Sequence, residues 1–271
     1  MKQPNVSNHL ARMRRRGTVQ ATKKGRYVYY SICAPLLLEA LARRALFTPR
    51  ADEPSDLNDL ATQYAEAATR ADDQACSNLI DCALSSNYTL LDIYEDLIGA
   101  AMRMIGTWWE TGKIDVAQEH IATAVSYRQL ERIAAIAPAP SSDAPVALLG
   151  AVAGTLHVLG LRMISDYLAS IGWKSVYLGA NVPTDSFAFA ARTFKPSLVL
   201  ISCGSPDSDR ALPELVKTLR KVVPDAKLTM GGTRVTSAEQ LLGAGADDVY
   251  PTLRSFADSI SSTTEIRDQL T

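Results

Sequence analysis

Gly150-Ala-Val-Ala-Gly-Thr-Leu-His157-Val-Leu-Gly160 is the stretch on which the reading of this chain turns. Before it, the apolar run from Val146 to Val152 is short enough for a buried parallel strand. After it, Leu159 to Ile171 carries apolar residues at helical spacing. The glycine-flanked loop between the two therefore lies at a strand-to-helix crevice, where an open α/β sheet receives its ligands. It holds one imidazole, that of His157. A lone loop histidine more often satisfies backbone partners than binds a ligand, so the ligand reading needs support from the rest of the chain.

Strand and helix patterns alternate from this stretch to the end, with strands near 146–151, 174–179, 197–202, 226–230 and 247–250. That alternation predicts a flavodoxin-like (Rossmann-like) doubly wound sheet of five strands over residues 145–271. Ser202-Cys-Gly204 and Gly231-Gly232 fall on the loops after the third and fourth of these strands. No Gly-x-Gly-x-x-Gly phosphate loop and no internal repeat occurs.

Upstream, residues 55–137 have helical periodicity throughout, over 56–69, 72–85, 89–111 and 115–135, which predicts a four-helix bundle. Gly112 is placed to end the third helix, and Asp115 with Gln118 makes a capping-box start to the fourth. The run Pro138-Ala-Pro-Ser-Ser-Asp-Ala-Pro145 is a linker that lets the bundle fold over the sheet domain. Across the corner of the third and fourth helices, Trp109 is followed after nine residues by Glu119-His120. Singly, Trp109 fits the bundle core, in register with Ile98, Met102 and Ile105, and Glu119 and His120 fit a solvated face.

Together these features resemble the cobalamin-binding proteins: methionine synthase, the corrinoid proteins and the B12-dependent photoreceptors of the CarH type. That family's Asp-x-His-x-x-Gly is matched by Thr155-Leu-His157-Val-Leu-Gly160, its Ser-x-Leu by Ser202-Cys-Gly204, its Gly-Gly by Gly231-Gly232, and its cap motif Trp-x9-Glu-His by Trp109 and Glu119-His120. The resemblance implies that His157 replaces the cofactor's dimethylbenzimidazole as lower ligand to cobalt. Ser202, Gly204, Gly231 and Gly232 would then line the slot for the nucleotide tail, and Trp109, Glu119 and His120 would close the site from above. Adenosylcobalamin is the implied cofactor, with methylcobalamin the other candidate. Two positions depart from the pattern: Thr155 stands where a carboxylate orients the ligand imidazole, and Gly204 where leucine is usual. A third departure is Glu110, which stands where CarH-type proteins place a histidine next to the cap tryptophan.

Charge adds a separate signal. Residues 1–50 hold eleven Lys/Arg against one acid, a balance of +10, while the remainder holds seventeen against twenty-eight, a balance of −11. A head so basic suits a polyanionic partner. Pro4 to Arg16 has a helical pattern, Gly17 stops it, and Thr18–Thr22 and Arg26–Ile32 form a hairpin around Lys23-Lys24-Gly25. The order resembles the recognition helix and wing of an ArsR-type winged helix-turn-helix, carried by Gln3-Pro4-x-Val6-Ser7-x-His9-Leu10, Gly17 and Gly25-Arg26-Tyr27-Val28-Tyr29-Tyr30. By that resemblance Asn5, Ser7, Asn8 and His9 face base edges of DNA, while Arg12, Arg15, Lys23, Lys24 and Arg26 meet phosphates. The helices that cover the back of a winged helix have no counterpart before Pro4, so residues 1–48 are expected to be a partial domain, a remnant or a misassigned start. Ala34–Leu46 would follow as a dimerisation helix, and residues 48–54 as a linker.

No apolar run approaches the ~20 residues that span a bilayer. The polar, basic start lacks the apolar core of a signal peptide, so a cytoplasmic protein without a membrane partner is expected. Cys33, Cys76, Cys82 and Cys203 form no Cys-x-x-Cys pair, which argues against a disulfide framework or a zinc site. The expectation is a multidomain, homo-oligomeric regulator of transcription, not an enzyme, possessing a cobalamin switch that responds to light. Two other readings stay open: a corrinoid carrier for methyl transfer, and an interaction module without cofactor.

Overall fold

Short acidic caps set the helical region. Asp56 accepts from the Asn58 amide at 3.1 Å and opens α1 (Leu57–Thr69), and Asp72 accepts from the Ala75 amide at 2.9 Å and opens α2 (Asp73–Ser85). Thr89 and Asp92 then cap each other: the Asp92 amide donates to the Thr89 hydroxyl (3.2 Å) and the Thr89 amide to the Asp92 carboxylate (2.7 Å). The helix they start is α-helical at Leu90 and Leu91 and then widens. Asp92–Gly99 is a π-helical stretch, continued by α3 (Ala100–Glu110). At its end the Ala100 amide bonds to the Glu95 carbonyl five residues back, and a Cβ on Gly99 would lie 2.9 Å from the Tyr94 carbonyl oxygen, so the wide turn needs glycine there. Gly112, at φ 72°, ends α3, and both arms of the Asp115–Gln118 capping box form at the start of α4 (Val116–Ala134).

The computed structural model describes residues 19–25, 27–32, 56–86, 88–135, 139–204, 208–232, 242–243 and 245–268. The recognition-helix candidates Asn5, Ser7, Asn8, His9, Arg12 and Arg15, together with Arg26, the 34–46 helix and the 48–54 linker, lie outside them. Of the head, the hairpin is described: β1 (Val19–Lys24) pairs antiparallel with β2 (Tyr27–Ile32), Lys24 opposite Tyr27. Among the described residues no helix is long and apolar enough to cross a membrane.

The second half alternates β3 (Val146–Val152), α5 (Leu159–Ser170), β4 (Lys174–Val182), α6 (Thr184–Phe194), β5 (Leu198–Ser202), α7 (Ser208–Val222), β6 (Lys227–Gly231), β7 (Asp248–Val249) and α8 (Leu253–Asp268). The sheet is parallel, in the order β4-β3-β5-β6-β7. This is the expected flavodoxin-like order, with the topological switch between β3 and β5. Side chains alternate across the central strand. Ala147, Leu149 and Ala151 join a core with Leu161, Leu168, Phe256 and Ile260, from α5 and α8, that runs on into the bundle. Leu148 and Val152 pack with Phe187, Leu215 and Leu219 on the other face. The bundle is thus docked on the α5/α8 layer.

Arg254 ties the two halves together. Its amide, in the first turn of α8, donates to the Glu95 carboxylate at 2.7 Å, while its guanidinium reaches Asp92 at 3.0 Å and also Asp96. Hydrogen bonds from Thr89, with Arg254 alongside, hold the Asp92 carboxyl below the usual carboxylate range, and Arg128 does the same for Asp73. A depressed carboxylate stabilises the fold above its unfolded value of 3.8 and loses that contribution as pH falls through the lower folded value. Thermal melts from pH 6 to pH 2 should therefore show an acid-side loss of stability in the wild type that is shallower in Asp92→Asn. Equal slopes would show that Asp92 has no such linkage.

Candidate functional site

The loop of residues 153–158, between β3 and α5, is held rigidly on one side. Thr155 is 1 % exposed; its hydroxyl accepts from the Gly204 amide (3.2 Å) and its carbonyl from the Asn181 amide (2.9 Å). Asn181, in the left-handed conformation at φ 52°, returns through its side-chain oxygen to the Gly154 amide at 2.8 Å. Three loop or strand ends at the sheet's ligand-binding edge, those of β3, β4 and β5, are knitted around Thr155. Through the bond from Gly204 the threonine ties the loop backbone to the end of β5. Asn181 was not singled out by sequence reasoning, although an asparagine at a strand's ligand-side end, just before Val182-Pro183, is a signal for a left-handed turn. Asn181→Ala should lower corrinoid affinity by roughly 10-fold, as loss of an outer-shell support does, a change that titration of the visible spectrum would detect.

His157 itself is exposed at this edge, beside the exposed Leu156. Gly160 lies in the first turn of α5 with open space where a Cβ would be. Ser202, buried at the end of β5, is level with Ala151 on one side and Gly231 on the other. The Cys203 amide donates to the Gly231 carbonyl (2.9 Å), and Gly232, at φ 133°, presses so closely on this loop that a Cβ would fall 2.0 Å from the Cys203 carbonyl oxygen. The glycines thus allow two loop backbones to touch at the crevice.

The cap residues sit at the corresponding end of the bundle. Tyr127 of α4 is adjacent to Tyr177 of β4, whose hydroxyl reaches the Val158 carbonyl, and Glu131, one turn further along α4, faces Arg162 and Asp166 of α5. Helices α4 and α5 therefore run in the same sense. Glu119, eight residues before Tyr127, projects about 12 Å beyond the Tyr127 level at 1.5 Å per residue, on the end that carries His157. Trp109 continues the buried stripe of Ile98 and Ile105, yet it is 48 % exposed: the bundle core ends beneath it and leaves the indole uncovered. Trp108, not Trp109, packs against the core, with Lys113 3.8 Å over its ring. The Glu119 carboxylate, 18 % exposed, holds His120 Nδ1 at 2.6 Å and accepts from the Thr123 hydroxyl at 2.9 Å, while the His120 side chain is 75 % exposed. A carboxylate thus orients the imidazole of His120, whereas among the described residues none is bonded to His157. Among the described residues no hydrogen bond joins Trp109, Glu119 or His120 to the His157 loop.

An exposed imidazole at a switch point, glycines at the crevice and an uncovered tryptophan at the bundle's end suit a large flat ligand with a nitrogen-seeking metal. His157 fits as the donor. The fold and site define a helical cap over a flavodoxin-like binding domain. Residues 145–252 match the family described as B12 binding domain and residues 60–133 match a second family of the same description, so the chain belongs to the B12-binding proteins and binds cobalamin. These matches set aside the reading without cofactor.

The HTH-type transcriptional repressor CarA of Myxococcus xanthus is 34 % identical over 91 residues, 33 % of this chain and 31 % of the repressor. The repressor CarH of the same organism is 25 % identical over 159 residues, 58 % of this chain and 52 % of the repressor. The chain therefore spans about a third to a half of these curated relatives. Trimethylamine corrinoid protein 1 of Methanosarcina acetivorans is 22 % identical over 200 residues, 70 % of this chain and 93 % of that protein. The monomethylamine corrinoid protein of Methanosarcina barkeri shares the fold, with a TM-score of 0.64 at 19 % identity, covering 77 % of this chain and 100 % of that one.

Proposed function

We propose that the chain is a cytoplasmic, DNA-binding transcription regulator whose oligomeric state follows its cobalamin, with no substrate chemistry of its own. The observation that carries this reading is the hairpin ahead of the B12-binding unit: its tip is Lys23-Lys24-Gly25-Arg26, Gly25 stands at φ 61°, and Lys23, Tyr29 and Tyr30 are exposed. A twisted basic ribbon of this kind suits phosphate contacts. The similarity to two repressors points the same way. Each phosphate contact steepens the log-log fall of affinity with salt by roughly 0.9. Lys23→Ala/Lys24→Ala should thus flatten the slope, measured by fluorescence anisotropy on DNA from its own promoter, by about two contacts. Salt-independent or absent binding of the wild type would sink the regulator reading.

His157 would hold cobalt from below, with Trp109, Glu119 and His120 bounding the upper side, which favours adenosylcobalamin. When bound, that cofactor supplies a cobalt–carbon bond that light cleaves. Glu110, exposed at the end of α3, presents a carboxylate beside Trp109, so a second imidazole can come from His120 but not from that position. Illumination of the loaded protein should change its spectrum and its oligomer size by light scattering; no change in either would remove the photoreceptor part. The second reading, a corrinoid carrier for methyl transfer, is favoured by the match over 93 % of a trimethylamine corrinoid protein. It would be supported by methyl exchange with a methyltransferase and by the absence of DNA binding.

A further inference from the structure

We infer that Tyr177 is a positioning residue for His157, and that through it the docking of the helical bundle sets the ligand loop. The inference rests on His157 being the cobalt ligand. Val158, immediately after His157, is the N-cap of α5 and has no side-chain cap of its own. Its carbonyl receives the Arg162 amide at 2.9 Å and, from the neighbouring strand, the Tyr177 hydroxyl at 3.4 Å. The Tyr177 ring lies under the Arg162 guanidinium at 5.9 Å, and Arg162 grips Asp166 through Nε at 2.9 and 3.0 Å. Tyr177 thus holds the Val158–Leu159 peptide, one residue past the ligand and on the far side of it from the Thr155–Asn181 clamp.

The other side of this cluster belongs to the bundle. Tyr127 of α4 neighbours the Tyr177 hydroxyl, and Glu131 and Tyr94 lie within electrostatic reach of Arg162 or Asp166. Around this cluster the interface is apolar, with Leu97, Ile98, Leu161 and Leu168 buried. The Tyr94 hydroxyl is buried with no hydrogen-bond partner among the described residues. A buried hydroxyl without a partner is unfavourable, so this docked arrangement carries a defect that a shifted bundle could relieve. A joint whose docked arrangement leaves a buried hydroxyl unpaired, and which touches the residue next to the ligand, is suited to couple cap and ligand. A bundle that moves away takes Tyr127 from Tyr177, and the hold of Tyr177 on Val158 changes with it.

The test uses the full chain loaded with methylcobalamin, with the ratio of histidine-ligated to unligated cofactor read from the visible spectrum at fixed pH. Tyr177→Phe keeps the ring under Arg162 and removes one hydrogen bond, worth about a fivefold change; the ligated fraction should fall by that factor. Tyr127→Phe should lower it too, and the double variant should fall no further than Tyr177→Phe alone, because both act through one hydroxyl. An unchanged ratio in Tyr177→Phe, or effects that multiply in the double variant, overturns the inference. His157→Ala separates the premise: if it leaves the spectrum of the wild type unaltered, the ligand assignment fails and the inference falls with it. If it abolishes the ligated form while the tyrosine variants match wild type, the coupling alone is wrong.

Discussion

Replacing His157 by alanine is expected to abolish the spectrum of histidine-ligated cobalamin and to weaken corrinoid binding by about 100-fold or more, beyond the 10–100-fold that loss of an outer-shell partner produces. The size of the effect follows from how this chain prepares the ligand. The Thr155 carbonyl and hydroxyl and the Asn181 side chain fix the loop backbone before any cofactor arrives, so little ordering remains to be done on binding. No other side chain of residues 153–158 carries a nitrogen or thiol donor, so removing the imidazole leaves nothing else in the loop suited to hold the metal. Titration of the apo-variant with methylcobalamin checks both parts. Wild-type affinity with a wild-type spectrum would show that the loop is only a structural element.

Gly232→Ala is expected to destabilise the sheet domain by roughly 3 kcal/mol, from the strained backbone and the collision together. At φ 133° no L-residue is comfortable, and the atom a Cβ would strike, 2.0 Å away, is the backbone oxygen of Cys203, which has no rotamer to give. Relief would have to move the end of β5 or of β6, which carry Ser202 and Gly231. The same substitution should therefore lower the melting temperature and corrinoid affinity together. The control is Gly160→Ala, where a Cβ meets open space; it should leave the melting temperature close to wild type. A Gly232→Ala protein as stable as the Gly160→Ala one would contradict the packing described for this crevice.

The sheet domain was legible because parallel strands buried on both faces read as short apolar runs, and each candidate position at its ligand edge lies at or just past a strand end. The bundle was legible from its periodicity and from Gly112 and the Asp115–Gln118 box, which are local signals. What could not be read is non-local or depends on backbone hydrogen bonding. An α and a π turn both carry an apolar stripe, so Ile93, Tyr94, Leu97 and Ile98 fit either; only Gly99, inside the helix, hinted at an irregularity. Trp109 continues an inward stripe in sequence, and only the position of the bundle's end makes it a half-open side chain instead of a core one. The roles of Tyr177, Asn181 and Arg254 are set by partners 19, 27 and 159 residues away, and nothing in their own neighbourhoods announces them.

The contact between Glu95 and the first turn of α8 bears on portability. A helix N-terminus leaves its first amides without partners, and here one of them, that of Arg254, is satisfied by a carboxylate from a different folding unit. The last helix of the sheet domain is therefore finished by the bundle. A fragment cut at the Pro138–Pro145 linker would expose a raw helix end as well as the apolar layer of α5 and α8. A chimera taking its bundle from one relative and its sheet domain from another would have to bring Asp92, Glu95 and Asp96 together with a matching basic residue at the start of the final helix. The cap and the binding domain are separate in sequence and in family description, yet in this chain neither is finished without the other.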